Sequence, residues 1–298
     1  MMTKFSNYNY VDLLSFVEET NRCPGGKRTI NKILQLTLLN SRNGYNLKIL
    51  EIGSNTGFTS IEIAKLIPGS RVIGIDVNSN AVKAANEKLQ LQMNELNDRV
   101  TFIVGDASDL PFEDNEFDLV ICGGANTFIN EKFREKAVAE YRRVLKPYGF
   151  LSVTNLFYNQ PVPKNILEDL KKVLGFEIKP WRRSYWLNLL NNSGMEIYHY
   201  DEIEMEAKTE ERVKENSYEI VSKSSKFIDL SLKDRKGLLN RWNEIMNIFN
   251  SNHKYLSFML VILRNDVIDE QDELFTEKNI FDIKSIIKEP KLWGSNEE

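Results

Sequence analysis

The sequence contains few of the residues that build metal centres or disulfide frameworks. Its 298 residues include two cysteines, Cys23 and Cys122, and two histidines, His199 and His253. Two cysteines do not make the cross-linked framework of a small secreted domain, and the sequence has no Cys/His spacing typical of a metal site. The sequence therefore predicts a protein without a metal centre.

Long apolar runs and an excess of positive charge are also missing. The longest apolar-aromatic stretch, residues 255–263, is interrupted by Ser257 and is far shorter than the roughly 20 residues of a membrane-spanning helix. The amino terminus has no signal-peptide pattern. With 39 basic and 43 acidic residues the formal charge is -4, which argues against general nucleic-acid binding. We therefore expect a cytoplasmic protein with neither a membrane nor a nucleic-acid partner.

A turn of small residues is the most informative feature that is present. The apolar run 48–52 predicts a buried strand, residues 53–57 a turn, and the apolar periodicity from Phe58 a helix. Gly53 and Gly57 let the backbone approach a ligand, which the first N–H groups of the helix can bind. The G-x-G-x-x-G pattern of dinucleotide-binding folds does not fit, because its third glycine would fall at Phe58. Asn55, between the glycines, tolerates a left-handed conformation.

Further predicted strands follow at the spacing of alternating strands and helices. Residues 71–76 end in Asp76, residues 100–104 run into Asp106 and Ala107, and residues 117–122 end at Cys122. Open α/β sheets bind ligands at the carboxyl ends of their strands, where an acid can accept hydrogen bonds from the hydroxyl groups of a ribose. These strand ends are therefore candidate ligand contacts.

Together these motifs resemble class I S-adenosylmethionine (SAM) methyltransferases over residues 48–155. Glu51-x-Gly53-x-Asn55-x-Gly57 is similar to the glycine-rich first motif of that family, with Asn55 in place of the middle glycine, and Gly105-Asp106-Ala107-x-x-Leu110-Pro111-Phe112 is similar to its adenine-binding motif. The resemblance implies SAM as cofactor and an α/β fold. The implied sheet is Rossmann-like and seven-stranded, with order 3-2-1-4-5-7-6 and strand 7 antiparallel. The implied cofactor contacts are Glu51, Gly53, Ser54, Asn55, Gly57, Asp76, Val77, Asp106, Ala107 and Cys122.

Several of these contacts have an alternative interpretation. In the family the acid at Glu51 often supports the loop rather than touching the cofactor. Asp76 could instead cap the helix predicted from residue 80, and Asp106 could be a simple turn residue. Cys122 is interpreted as a small buried side chain that lines the site rather than as a nucleophile.

The rest of the chain divides into flanking parts. Residues 1–45 are predicted to be a helical lid, with Lys27, Arg28 and Thr29 either donating to the SAM carboxylate or forming a helix start with Thr29 as N-cap. Residues 46–265 are predicted to form the methyltransferase domain, with residues 166–174 helical and with a helical insert at 206–254. Residues 266–298 are an acidic tail that either docks or does not.

The loop after the fourth strand decides the expected substrate class. The family resemblance places the transferred methyl group at residues 123–128, and neither the tetrapeptide of DNA amino-methyltransferases nor the paired glutamates of arginine methyltransferases occurs there. Small-molecule methylation remains, with an oxygen, nitrogen or carbon acceptor. The candidate catalytic residues are Asn126 and His199. A SAM-binding regulatory subunit without catalysis and, less favoured, an NAD(P)-linked oxidoreductase are the alternatives.

Overall fold

Seven strands form one sheet in a computed structural model that describes residues 4–17, 24–37, 46–266 and 283–294. The sheet order is β3-β2-β1-β4-β5-β7-β6. Strands β1 to β5 run parallel where they pair, and β7 is antiparallel to both β5 and β6. The predicted fold, including the reversed seventh strand, is confirmed. The strands are β1 (Lys48–Ile52), β2 (Arg71–Asp76), β3 (Val100–Val104), β4 (Phe117–Cys122), β5 (Leu145–Tyr158), β6 (Glu196–Glu204) and β7 (Leu256–Arg264).

Helices cover both faces of the sheet, because the central strands are apolar on both sides. On β7, Met259 and Val261 belong to one core and Leu260 and Ile262 to the other, as the two-residue period of a strand requires. The helices are α1 (Tyr10–Val17), α2 (Lys27–Leu36), α3 (Phe58–Leu66), α4 (Ser79–Gln92), α5 (Glu131–Val144), α6 (Lys164–Leu174), α7 (Arg183–Asn191), α8 (Glu210–Ser222), α9 (Leu232–His253) and α10 (Ile283–Ile287).

A third core joins α1, α6, α8 and α9, which we call the helical cap. Tyr10 of α1 stacks on Trp242 of α9 with ring centroids 6.2 Å apart, and Leu170 of α6 and Val221 of α8 are buried in the same cluster. The Oγ of Ser224 donates to the carbonyl of Phe16. The amino-terminal segment and the insert at 206–254 therefore share one core, and α6 is part of it.

The connections of the cap place it beside the carboxyl ends of the parallel strands. Tyr158, at the end of β5, pairs with Leu256, which follows α9. Glu204, at the end of β6 and before α8, pairs with Ser257. All the chain crossings between the sheet and the helices α6, α8 and α9 thus occur at the edge where open α/β sheets bind ligands.

The described part of the carboxyl-terminal segment docks against α7. Arg183 of α7 forms an ion pair with Glu289 at 2.6 Å, and the indole Nε1 of Trp293 donates to the carbonyl of Tyr158 at 2.9 Å. The sequence does not decide whether the tail docks on the domain. The structure shows that residues 283–294 of the tail do dock. In the described ranges, no helix is both long enough and apolar enough to span a membrane.

Candidate cofactor and acceptor site

The turn after β1 depends on left-handed backbone. Gly53, Asn55 and Gly57 have φ values of 70°, 46° and 84°, so Asn55 adopts the left-handed conformation that asparagine tolerates. A Cβ atom on Gly53 would lie 2.5 Å from the Cβ of Ala125, and one on Gly57 would lie 2.4 Å from the ring of Phe102. Both glycines are therefore required by conformation and by close packing.

Glu51 lies beneath this turn and is buried. Its Oε2 accepts hydrogen bonds from the backbone N–H of Ser60, at 2.9 Å, and from the hydroxyl of Ser60. Burial raises the pKa of Glu51 from 4.5 to about 7, because a carboxylate loses its hydration there. These bonds tie β1 to α3 and support the interpretation of Glu51 as a loop-supporting residue. Nearby Ser54 is also buried, and its hydroxyl has no partner among the described residues.

Asp76 holds the two loops that follow β1 and β2. Its Oδ2 accepts from the N–H of Asn55 at 2.9 Å, and its Oδ1 accepts from the N–H of Asn78 at 2.8 Å. Asn78 is the N-cap of α4 and accepts from the N–H groups of Asn80 and Ala81, so the interpretation of Asp76 as that cap is wrong. Each carboxylate oxygen keeps a second lone pair, which leaves capacity for ribose hydroxyls.

Exposed apolar side chains accompany the acids at the ends of β2 and β3. Val77 is 71% exposed, and Val104, which pairs with Asp76 in the sheet, is 54% exposed. Asp106 is exposed, and its Oδ1 accepts from the N–H and hydroxyl of Ser108 at 2.7 and 2.8 Å. The neighbouring Ala107 is half-buried. Apolar surface flanked by carboxylates fits an adenosine, whose ring faces are apolar and whose hydroxyl and amino groups are donors.

Buried residues fix the loop after β4. Cys122 is buried, and burial raises its pKa to about 11, so the thiolate needed of a nucleophile is disfavoured. Asn126 is fully buried, and its Oδ1 accepts from the hydroxyl of Tyr141 at 3.1 Å, whereas its Nδ2 has no partner among the described residues. Asn126 thus lies at the predicted edge with a free donor.

The second catalytic candidate, His199, lies away from this edge. It sits in the middle of β6, where its Nε2 is 2.8 Å from Oδ2 of Asp201, which also binds Lys32 of α2. His199 pairs with Ile262, whose side chain belongs to the core beneath α2, α3 and α4. The structure does not bring His199 to the strand ends, and its contacts are those of an ion-pair cluster.

The turn before α2 approaches the same edge as the strand ends. A Cβ atom on Gly124 would lie 3.9 Å from Pro24, and one on Gly25 would lie 3.2 Å from the ring of Phe258. The N-cap of α2 is Gly26, so the prediction of Thr29 as N-cap is wrong.

The two cations at the start of α2 differ in their contacts. Lys27 forms an ion pair with Glu62 of α3 at 2.7 Å. Arg28 is exposed and has no hydrogen bond or ion pair within the described ranges. Of these two cations, Arg28 is therefore the one without a partner among the described residues.

Sequence reasoning missed Arg134 and Asn155, whereas Trp186 belongs to the aromatic residues that the sequence offers either as walls of a substrate pocket or as core residues. Arg134 is buried against the loop after β4, and Asn155 and Trp186 are buried with polar atoms that lack partners in the part of the chain that the structure describes. An arginine on an amphipathic helix and an asparagine within a strand carry no distinctive spacing. No sequence signal identifies them.

A surface cleft of about 550 Å³ lies outside this site. It is lined by residues such as Asp114, Arg142 and Asn192. Asp114 precedes β4, and the cleft therefore opens at the amino-end side of the strands. We do not assign it to the ligand, because parallel strands bind ligands at their other end.

This chain is similar to a family model, to several known sequences and to solved structures. A family model described as a methyltransferase domain matches residues 49–149. An uncharacterised protein of Haemophilus influenzae is 30% identical over 183 residues, which are 61% of this chain and 70% of that protein. The ubiquinone/menaquinone biosynthesis C-methyltransferase UbiE of Pseudomonas aeruginosa is 30% identical over 157 residues, which are 52% of this chain and 58% of UbiE. The crystal structure of the MccD protein superposes with a TM-score of 0.67 at 26% identity, covering 83% of this chain and 99% of MccD.

The sheet order, the glycine turn and the acids at the strand ends define a Rossmann-like methyltransferase fold. Residues 49–149 form a methyltransferase domain, and the chain has the fold of the class I SAM-dependent methyltransferases. SAM is accordingly its cofactor, and the NAD(P)-linked alternative is not retained. The chain spans little more than half the length of UbiE, so the substrate of UbiE is not carried over to it.

Proposed function

We propose that the protein transfers the methyl group of SAM to a small molecule bound between the loop after β4 and the helical cap. The observation that carries this proposal is the meeting of three parts at one sheet edge: the glycine turn, the acids of β2 and β3, and the chain crossings to the cap. SAM supplies an already activated methyl group. The task of the protein is to orient the acceptor and to exclude water.

We assign separate parts of the cofactor to separate residues. Asp76 would accept from the ribose hydroxyls, and Asp106 from the adenine amino group, with Val77 and Val104 against the ring. Arg28 and the first N–H groups of α2 would bind the carboxylate of the methionine part, since a helix amino terminus and a guanidinium both favour an anion. The burial of Glu51 and its bonds to Ser60 support a role beneath the loop.

The acceptor atom is open among oxygen, nitrogen and carbon. UbiE is named a C-methyltransferase, which keeps carbon among the candidates. A SAM-binding subunit without turnover is the competing function. We expect S-adenosylhomocysteine to bind in the micromolar range, about -8 kcal/mol, in calorimetry with no measurable binding of NAD. Transfer of a labelled methyl group to any member of a metabolite panel favours the enzyme, and binding without transfer across the panel favours the regulatory subunit.

Asp76→Ala tests the cofactor assignment against a matched control. Hydrogen bonds to a charged group are worth about 1.5–3 kcal/mol each, so cofactor affinity should fall at least about tenfold. The melting temperature of the cofactor-free protein should fall too, because Asp76 also holds the N–H groups of Asn55 and Asn78. Asn78→Ala removes the cap of α4 without removing the carboxylate, and should lower stability by about 1 kcal/mol with little loss of affinity. Equal affinity losses in the two variants would refute the ribose role.

A further inference from the structure

A buried arginine organises the loop that follows β4. Arg134 of α5 is 6% exposed. Its Nε donates to the carbonyls of Asn126 and Ile129, both at 3.0 Å, and its Nη2 to the carbonyl of Thr127 at 3.3 Å. Its Nη1 donates to the hydroxyl of Tyr185 at 3.1 Å. The guanidinium therefore contacts the same loop that carries Asn126 at the carboxyl edge.

The charge of Arg134 has no counter-ion within the described ranges. No carboxylate there lies within ion-pair distance of its guanidinium, which instead lies against aromatic rings, 4.8 Å from the centroid of Trp186. The neighbouring Glu131 is paired with Lys179. A buried charge is costly unless it is paired. Carbonyl dipoles and ring faces offset part of that cost and leave a net positive charge beside the loop.

Buried donors without partners accompany this charge. The Nδ2 of Asn126, the Nε1 of Trp186 and the Nδ2 of Asn155 have no acceptor among the described residues, although all three residues are almost completely buried. Asn126 and Trp186 both contact Arg134. Asn155 lies two positions after Val153, which pairs with Cys122 at the end of β4, and so points to the same face. Buried donors are normally satisfied, so these three imply an acceptor that the described residues do not supply.

Apolar aromatic surface lies next to the same loop. Phe128 is 55% exposed and meets Phe176 edge to face at 5.5 Å. Trp181 and Tyr185 stack with ring centroids 3.8 Å apart. The exposed ring of Phe128 and the half-buried rings beside it suit a ligand with an apolar or aromatic body.

We propose that the acceptor is an apolar or aromatic molecule carrying an anionic oxygen group, and that Arg134, Asn126 and Trp186 select it. This inference rests on the proposed methyltransferase function and adds the charge class of its substrate. Arg134 supplies the positive field and the two neutral side chains supply hydrogen bonds to the oxygen. The acceptor in turn completes the hydrogen bonds of these buried donors.

The test uses matched anionic and neutral probes on the full chain saturated with S-adenosylhomocysteine. The pairs are benzoate with benzamide, 4-nitrophenolate with nitrobenzene, and phenyl phosphate with benzyl alcohol, titrated by calorimetry. We expect the anion of at least one pair to bind ten or more times tighter than its neutral partner. Arg134→Met should abolish that preference, and Arg134→Lys should keep part of it because the charge remains.

The controls separate selection of an anion from simple loop support. Arg142→Met changes an exposed arginine of the same helix and should leave the preference intact. Trp186→Phe keeps an aromatic ring beside Arg134, removes one donor, and should weaken binding of the anion alone. Where Arg134→Met fails to fold, the Arg134→Lys and Trp186→Phe variants decide the result.

Three results would overturn the inference: no anion binds, neutral and anionic probes bind equally, or the variants weaken both members of a pair alike. Failure of S-adenosylhomocysteine itself to bind would instead remove the proposed function, and the inference with it. The initial titration with S-adenosylhomocysteine therefore distinguishes failure of the inference from failure of the proposed function.

Discussion

Replacement of Glu51 by Gln should remove a pH dependence from the stability of the cofactor-free protein. Burial raises the pKa of Glu51 from 4.5 to about 7, so between these values the folded protein holds a proton that the unfolded chain has lost. Stability from this group is complete below pH 4.5, falls as the pH rises, and is lost above about 7. The difference corresponds to about 3 kcal/mol. Glutamine cannot ionise but still accepts from the N–H and hydroxyl of Ser60.

Urea unfolding of both proteins at intervals from pH 4 to pH 8.5 measures this difference. The Gln variant should match the wild type in acid and exceed it by about 3 kcal/mol above pH 7, with all other titrating groups cancelling in the comparison. Affinity for S-adenosylhomocysteine should change little, because Glu51 bonds to Ser60. Stability curves that stay parallel across this range would refute the buried, protonated Glu51, and a large loss of affinity would show that it contacts the cofactor.

The remaining predictions concern the ends of the cofactor, the cap and His199. Arg28→Ala should weaken binding of S-adenosylhomocysteine about tenfold but not that of methylthioadenosine, which lacks the carboxylate; Lys27→Ala, whose cation is already paired with Glu62, should change neither. Equal effects on both ligands would contradict this role of Arg28. Hydrogen exchange in residues 1–30 and 206–254 should slow when S-adenosylhomocysteine binds, while the strands stay protected, and an unchanged pattern in both segments would show that the cap does not respond to ligand. His199→Asn should lower the melting temperature and leave cofactor affinity unchanged, since His199 contacts Asp201 and not the strand ends; a loss of affinity at constant stability would contradict that placement.

Local chemistry explains why the fold and cofactor could be predicted from the sequence. A buried strand, a turn of small residues and an amphipathic helix each depend on neighbouring residues, so the turn at 53–57 and the acids Asp76 and Asp106 can be found by spacing alone. The left-handed conformation of Asn55 follows from the same local preference. Through their resemblance to class I SAM methyltransferases, these motifs predict the cofactor and the edge of the sheet at which it binds.

Tertiary structure alone decided what lies around the acceptor. Glu51 and Asp76 are acids of similar appearance in sequence, yet burial places one beneath the loop against Ser60 and the other at the strand edge. The helices α1, α6 and α9 share one core. The sequence does not predict this contact, because α1 and α9 are far apart along the chain.

Arg134 illustrates the physical reason for this division. In the sequence it is one of several charged residues on an amphipathic helix. Its chemistry depends on packing, which brings no carboxylate of the described residues within ion-pair distance of it. The strand-end motifs lie in short segments whose backbone conformation is determined by neighbouring residues. Burial, counter-ions and unsatisfied donors arise only when distant segments meet, and so the sequence by itself determined the fold and the cofactor, whereas the folded chain decided the surroundings of the acceptor.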